Sequence, residues 1–105
     1  KTFPGSKPLG PELLLTDGAD LAKLDLSLAT HVNGKQCQSA NARDFLFSIP
    51  ELVSAASKLG PLDAGDVIST GTPAGIGMAR GIFLMAGDVV AVTVGPMEPL
   101  TVTIA

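Results

Sequence analysis

The densest set of groups able to bind an anion lies in residues 66–87, DVISTGTPAGIGMARGIFLMAG. A short apolar run leads into Gly71, Thr72 and Pro73, and Gly75 and Gly77 follow. Glycines let backbone N–H groups approach an anion closely, and the Thr72 hydroxyl is a further donor. Holding a carboxylate or phosphate is therefore the chemistry this stretch can serve. It is not a Walker phosphate loop, because no Gly-Lys-Ser/Thr closes it. It is not the dinucleotide fingerprint either, since the three glycines have the wrong spacing and no long helix follows. The competing reading is a plain glycine turn between strands. Spacing alone does not separate the two.

Other residues with chemical potential have simpler roles as their first reading. His31, the only histidine, sits next to a turn signal and reads as a solvated or hydrogen-bonded strand residue rather than a catalytic base. Cys37, the only cysteine, has no C-x-x-C partner and reads as a half-buried thiol. Asp63, Asp66 and Asp88 lack calcium-loop spacing and read as turn residues. Arg43 and Arg80 are candidates to meet a substrate carboxylate, although Arg80 is more simply a solvated charge.

The elements around these residues are mostly strands. LDLSLATHV alternates, with Leu26, Leu28, Thr30 and Val32 on one face and Ser27, Ala29 and His31 on the other. Asn33-Gly34 then gives the strongest two-residue hairpin signal, and KQCQS supplies the return strand. Ser48 and Glu51 fit a capping box, with Pro50 in the first turn. Leu52, Val53, Ala56 and Leu59 make an apolar stripe, so a helix is predicted over residues 49–59, ended by Gly60 in a left-handed conformation and by Pro61. The phrases LDAGDVI and LMAGDVV are near copies, each reading as a turn that launches a strand. Val90, Val92 and Val94, then Leu100, Val102 and Ile104, predict a closing antiparallel hairpin with one buried side. One helix among several strands predicts an α+β domain or β-roll.

Composition bounds what such a domain can do. The chain has 105 residues, 46% of them hydrophobic, and a formal charge of −3. Its mean hydropathy is +0.41. That is apolar for a small domain, which buries only about two-thirds of its unfolded surface, so a partner surface or a further part of the same domain is expected. No run reaches the ~18 apolar residues of a membrane span, and the start has no signal-peptide core. The absence of a basic cluster argues against nucleic acid. A single cysteine excludes an intrachain disulfide and is compatible with a reducing compartment.

GDVISTGTPAGIG followed by FLMAGDVVAVTV resembles the C-terminal signature of the fumarylacetoacetate hydrolase family. KTF at the start, KPLGP, and VNGKQCQSANARDFLFSIPELVSAAS fall in that family's order and spacing. The resemblance covers nearly the whole chain. It implies that residues 1–105 are the C-terminal portion of a catalytic domain, α+β in class, with a twisted mixed β-roll, one main helix and mostly strands. It further implies a cytoplasmic homodimer that binds Mg²⁺ or Mn²⁺ and a small-molecule 2-oxo acid. The site residues implied are Gly71 and Thr72 on the substrate carboxylate and Lys1, from the family's K-S/T-F motif, as the catalytic charge-stabilising group. Gln38 and Asn41 match positions near the roll's packing surface.

The resemblance places the family's metal ligands, a Glu-x-Glu pair and two aspartates, upstream of Lys1, together with a lid histidine that activates water. No metal ligand is expected within this chain, and the missing N-terminal part of the domain is its expected partner. Departures from the family pattern include Pro4 in place of a common aspartate, the charges Lys7 and Glu12 flanking PLGP, and Ala42 in place of threonine. The activity implied is hydrolase or lyase cleavage of a C–C bond in an acylpyruvate-like acid. An isomerase or decarboxylase on the same scaffold is the first rival. A non-catalytic structural or assembly fragment is the second.

Overall fold

The structure, a computed structural model, describes residues 3–16 and 25–105. Strand β1, Ser27–Val32, and strand β2, Lys35–Asn41, are joined by Asn33-Gly34. Both turn residues have positive φ, 50° and 77°, as the type I′ hairpin turn requires and as asparagine and glycine tolerate best. The pairing carries one irregularity. Thr30 faces Gln38 while His31 faces Gln36, so Cys37 is the extra residue of a β-bulge.

Strands β3, Val89–Val94, and β4, Leu100–Thr103, complete a four-stranded sheet in the order β2-β1-β3-β4. Every ladder is antiparallel. Leu28, Thr30 and Val32 stand opposite Val94, Val92 and Val90, and the last two stand opposite Leu100 and Val102. The alternation in the sequence thus becomes one apolar sheet face. Gly10 and Glu12 lie against that face and, with Val92, Val94, Met97, Glu98 and Leu100, line an open cavity of about 130 Å³. Glu12 Oε2 accepts the Glu98 backbone N–H at 2.8 Å there. The fold class is α+β, as the pattern predicts.

The twin phrases form twin turns. Asp66 N–H donates to the Asp63 carbonyl at 3.1 Å, and Asp66 Oδ2 accepts the Asp63 N–H at 2.9 Å. Asp88 and Met85 repeat this at 3.0 and 2.8 Å. Only the second turn launches a strand. The run at residues 67–70 takes no regular structure and joins no ladder among the described residues, and a strand exists only as part of a sheet. Lys7 Nζ donates to Ser69 Oγ at 2.8 Å and ties the run to the N-terminal segment.

Asp88 also accepts a hydrogen bond from Asn33 Nδ2 at 2.8 Å, while Asn33 Oδ1 accepts the Val89 N–H at 2.9 Å. The two hairpins are therefore locked together at one end of the sheet. The Met85 N–H and the Asn33 amide hold the Asp88 carboxyl below the usual aspartate range. A depressed folded value gives stability that is complete above the unfolded value, about 4, and is lost as pH falls through the folded one. The melting temperature of the native protein is expected to drop more between about pH 5 and about pH 2.5 than that of Asp88→Asn, which starts lower. Parallel curves for the two proteins would remove Asp88 as a source of the acid sensitivity.

Helix α1 spans Ile49–Ser57, with Ser48 and Glu51 forming the expected capping box and proline in its first turn. It ends two residues earlier than the pattern predicts. Gly60 is not left-handed; Lys58 caps the helix in the right-handed region, and the Leu59 N–H bonds to Ala56 O at 3.0 Å. The last turn tightens by i→i+3 bonding, which satisfies the final carbonyls without a left-handed glycine. The helix stripe finds little cover. The extensive contacts between elements are those between neighbouring strands, and Leu59 is 93% exposed.

That exposure is general. Among the described residues none is buried, and large apolar side chains such as Leu13, Leu46, Ile82 and Phe83 lie open. The accessible surface is 7996 Å², against about 5,500 Å² for a compact folded chain of this mass. The excess is well above the ~800 Å² that one partner buries in a standard interface. The radius of gyration, 15.0 Å, likewise exceeds the ~13 Å of a compact domain this long. No helix among the described residues is long and apolar enough to cross a membrane.

Candidate functional site

The glycine loop that follows residue 70 lies against the edge strand β2, at its bulge. Gly75 has φ 101°, and a Cβ built there would overlap the Cys37 carbonyl oxygen and stand 3.1 Å from the carbonyl carbon and 3.2 Å from Gln38 Cγ. Only glycine permits this approach of one backbone to another. Beside it, Gln38 Nε2 donates to Thr72 Oγ1 at 3.0 Å and to the Pro73 carbonyl at 3.0 Å, with the Ala74 carbonyl at 3.5 Å. The loop is therefore fastened at Thr72, Pro73 and Gly75.

What the loop leaves open is as informative. Gly71, with φ 108°, and Thr72 are both exposed. Among the described residues, the backbone N–H groups of Gly71, Thr72, Ala74, Gly75, Ile76 and Gly77 meet no acceptor. Backbone donors normally find partners. A run of exposed N–H groups with no protein acceptor, next to a fixed hydroxyl, is a set of donors open to water or to an anion. The segment closes with a 3-10 turn, Met78–Arg80, where the Arg80 and Ile82 N–H groups bond to the Gly77 carbonyl at 3.0 and 2.9 Å.

The other candidates separate from this site. Asn41 Oδ1 caps the 3-10 turn Ala42–Asp44 by accepting the Arg43 N–H at 3.0 Å, and its amide donates to Asp25 Oδ1 at 2.8 Å. Arg43 pairs with Asp25, both exposed. These residues hold the chain leaving β2. His31 is half-buried within the sheet, opposite Gln36 and Ala91. Cys37 is half-buried, with Sγ 3.4 Å from the Lys35 carbonyl. Arg80 lies in the exposed 3-10 turn. Lys1 lies outside the described residues.

A family model described as "Fumarylacetoacetate (FAA) hydrolase C-terminal" matches residues 1–105. The chain belongs to the fumarylacetoacetate hydrolase family. Oxaloacetate tautomerase YisK of Bacillus subtilis is 39% identical over 105 residues, which are 96% of this chain and 34% of that protein. The 5-carboxymethyl-2-hydroxymuconate delta-isomerase of Mycobacterium smegmatis is 37% identical, with a TM-score of 0.69 over 77% of this chain and 30% of its own. The maleylpyruvate hydrolase of Sphingobium sp. SYK-6 is 30% identical, with a TM-score of 0.70 over 83% of this chain and 32% of its own. The chain spans about a third of the length of these fumarylacetoacetate hydrolase-type relatives. The family therefore carries both hydrolases and isomerases on this fold.

The sequence singled out Gly71 and Thr72 but not Gly75, whose close approach to β2 fixes where the loop sits. The only signal for it was the glycine count of GTPAGIG. The resemblance brings Mg²⁺ or Mn²⁺ with it, and a hard cation of this kind needs carboxylate and carbonyl oxygens. Among the described residues no three His, Cys, Asp or Glu side chains converge to hold a metal.

Proposed function

We propose that this segment forms the C-terminal part of a metal-dependent hydrolase or lyase that cleaves a C–C bond in an acylpyruvate-like 2-oxo acid. The observation carrying this reading is the loop at Gly71 and Thr72, a fixed hydroxyl beside a row of open N–H groups, in a chain of this family. The loop would hold the substrate carboxylate and so set the 2-oxo group at a constant position. Water adds to the distal acyl carbonyl, the bond between that carbon and C3 breaks, and the electron pair passes into the pyruvate enolate. C3 then takes up a proton, giving pyruvate and a carboxylic acid. Lys1 is assigned to the enolate charge. Mg²⁺ or Mn²⁺ enters through the family resemblance, with its ligands on another part of the domain. The large exposed apolar surface supports such a remainder of the domain, and a homodimer enters through the family resemblance alone. A cytoplasmic location belongs to the same reading.

A second reading is an isomerase or tautomerase of 2-oxo dicarboxylic acids. Its support is specific, because the 39% and 37% identical relatives carry tautomerase and isomerase names, while structures with hydrolase names are 35% and 30% identical. Both readings need the carboxylate held, and they differ in whether the carbon chain is cut. Incubating the native protein and Mg²⁺ with acetylpyruvate and, separately, with enol-oxaloacetate distinguishes them. Release of pyruvate and acetate supports cleavage. Enol loss without change of mass supports tautomerisation, and inertness toward both sinks the 2-oxo acid assignment.

Thr72→Val keeps the side-chain volume and removes the hydroxyl. A hydrogen bond to a charged group contributes about 1.5–3 kcal/mol, so kcat/KM should fall roughly 10- to 150-fold. Thr72 is exposed, so the melting temperature should hardly change. Unchanged kinetics with a lowered melting temperature would return Thr72 to a structural role.

A further inference from the structure

The bulge in β2 does more than bend the strand. In a regular strand Gln36 and Gln38 would share one face. Because Cys37 is extra, Gln36 stands opposite His31, while Gln38 stands opposite Thr30 and joins the face of Leu28 and Val32. Bulges re-aim side chains in this way next to active sites. The re-aimed amide meets Thr72 Oγ1 and the carbonyls of Pro73 and Ala74. Carbonyl oxygens only accept, so it is the amide nitrogen of Gln38 that faces the loop. An amide nitrogen only donates. At the Gln38–Thr72 bond the hydroxyl oxygen is therefore the acceptor, and its proton points away from Gln38.

We propose that Gln38 is a positioning residue for substrate binding: it makes the Thr72 hydroxyl a donor toward the carboxylate of a small 2-oxo acid. The inference rests on the reading of the loop as a carboxylate site. The same amide holds the Pro73 carbonyl, which keeps that carbonyl turned toward β2. Without Gln38 the Thr72 hydroxyl is free to rotate and to donate elsewhere, so turning its proton to the carboxylate costs part of the bond it then makes. Gln38→Glu reverses the bond, because an ionised carboxylate accepts the Thr72 proton and withdraws it from the substrate.

The test is calorimetric titration of the native protein with pyruvate, in buffer containing Mg²⁺, for Gln38→Met, Gln38→Glu, Thr72→Val and the double variant Gln38→Met/Thr72→Val. Thr72→Val is expected to weaken pyruvate binding roughly 10- to 150-fold. Gln38→Met is expected to weaken it about 5- to 30-fold, and Gln38→Glu at least as much. The loss in Gln38→Glu should shrink as pH is lowered and the new carboxyl gains a proton it can donate. The double variant should lose far less than the product of the single losses, because Gln38 acts through a hydroxyl no longer there. If Thr72→Val binds pyruvate like the native protein, the carboxylate reading itself fails. If Thr72→Val is weakened but Gln38→Met is not, or the two losses multiply, only the role of Gln38 is overturned. Loss of the folded state in both Gln38 variants would also overturn it, leaving Gln38 a folding residue.

Discussion

Replacing Gly75 with alanine is expected to lower kcat/KM of the native protein about 100-fold or more while the sheet stays folded. Two costs act together. A left-handed conformation costs an L-residue roughly 1–2 kcal/mol, and Gly75 has φ 101°. The added methyl group would also overlap the Cys37 carbonyl oxygen. Backbone on backbone cannot yield by a rotamer change, so the loop must lift from β2. Lifting it breaks the Gln38 bonds to Thr72 and Pro73 and moves the open N–H groups as a unit. A displacement of about 1 Å at a binding group can cost on the order of 100-fold in rate. The ladders of the β2-β1-β3-β4 sheet do not depend on the loop, so the circular dichroism of the strands should persist. Kinetics within twofold of the native protein (against the roughly 100-fold loss expected) would show that the loop's seat on β2 is irrelevant to turnover.

Lys1→Met is expected to reduce kcat about 100- to 1,000-fold with KM nearly unchanged. In the proposed reaction the enolate charge falls to Lys1, through the resemblance of Lys1, Thr2 and Phe3 to the family's K-S/T-F motif. The enolate charge is absent from the bound 2-oxo acid and develops as the bond breaks. A cation serving only that charge lowers the barrier without tightening substrate binding. Removing one preorganised stabiliser of such a charge typically costs about 100- to 1,000-fold in kcat. Steady-state kinetics, with pyruvate binding as a control, check the split. A rise in KM at unchanged kcat would make Lys1 a substrate-binding residue, and full activity would withdraw it from the mechanism.

The parts of the fold legible in the sequence are those fixed by local chemistry. Asn33-Gly34 demanded two positive φ values and received them. Ser48 and Glu51 capped the helix as their spacing required. Val90, Val92, Leu100 and Val102 met across one face because a two-residue period allows little else. What escaped was set by pairing between distant segments. Residues 67–70 have strand composition and no ladder, since nothing local states whether a neighbour exists. The bulge at Cys37 is invisible without the register of β1 against β2. Gly60 looked like a left-handed cap, but the helix closed on Lys58 first. For the site, Gly71 and Thr72 were found as a loop rich in donors. The partner that fastens Thr72 lies 34 residues earlier in the chain, on a strand whose facing is set by that bulge.

The absence of any buried side chain among the described residues has a cellular consequence. Chaperones and proteases recognise unfolded chains by the apolar side chains they display, and a segment showing Leu13, Leu46, Ile82 and Phe83 to water carries the same mark even when its hairpins are formed. Whatever surface covers it withdraws that mark and stabilises the assembled state by mass action. Steady-state abundance follows the fraction that stays uncovered. Expressed by itself, the segment is expected to show a short pulse-chase half-life, and a longer one when the surface that covers it is supplied.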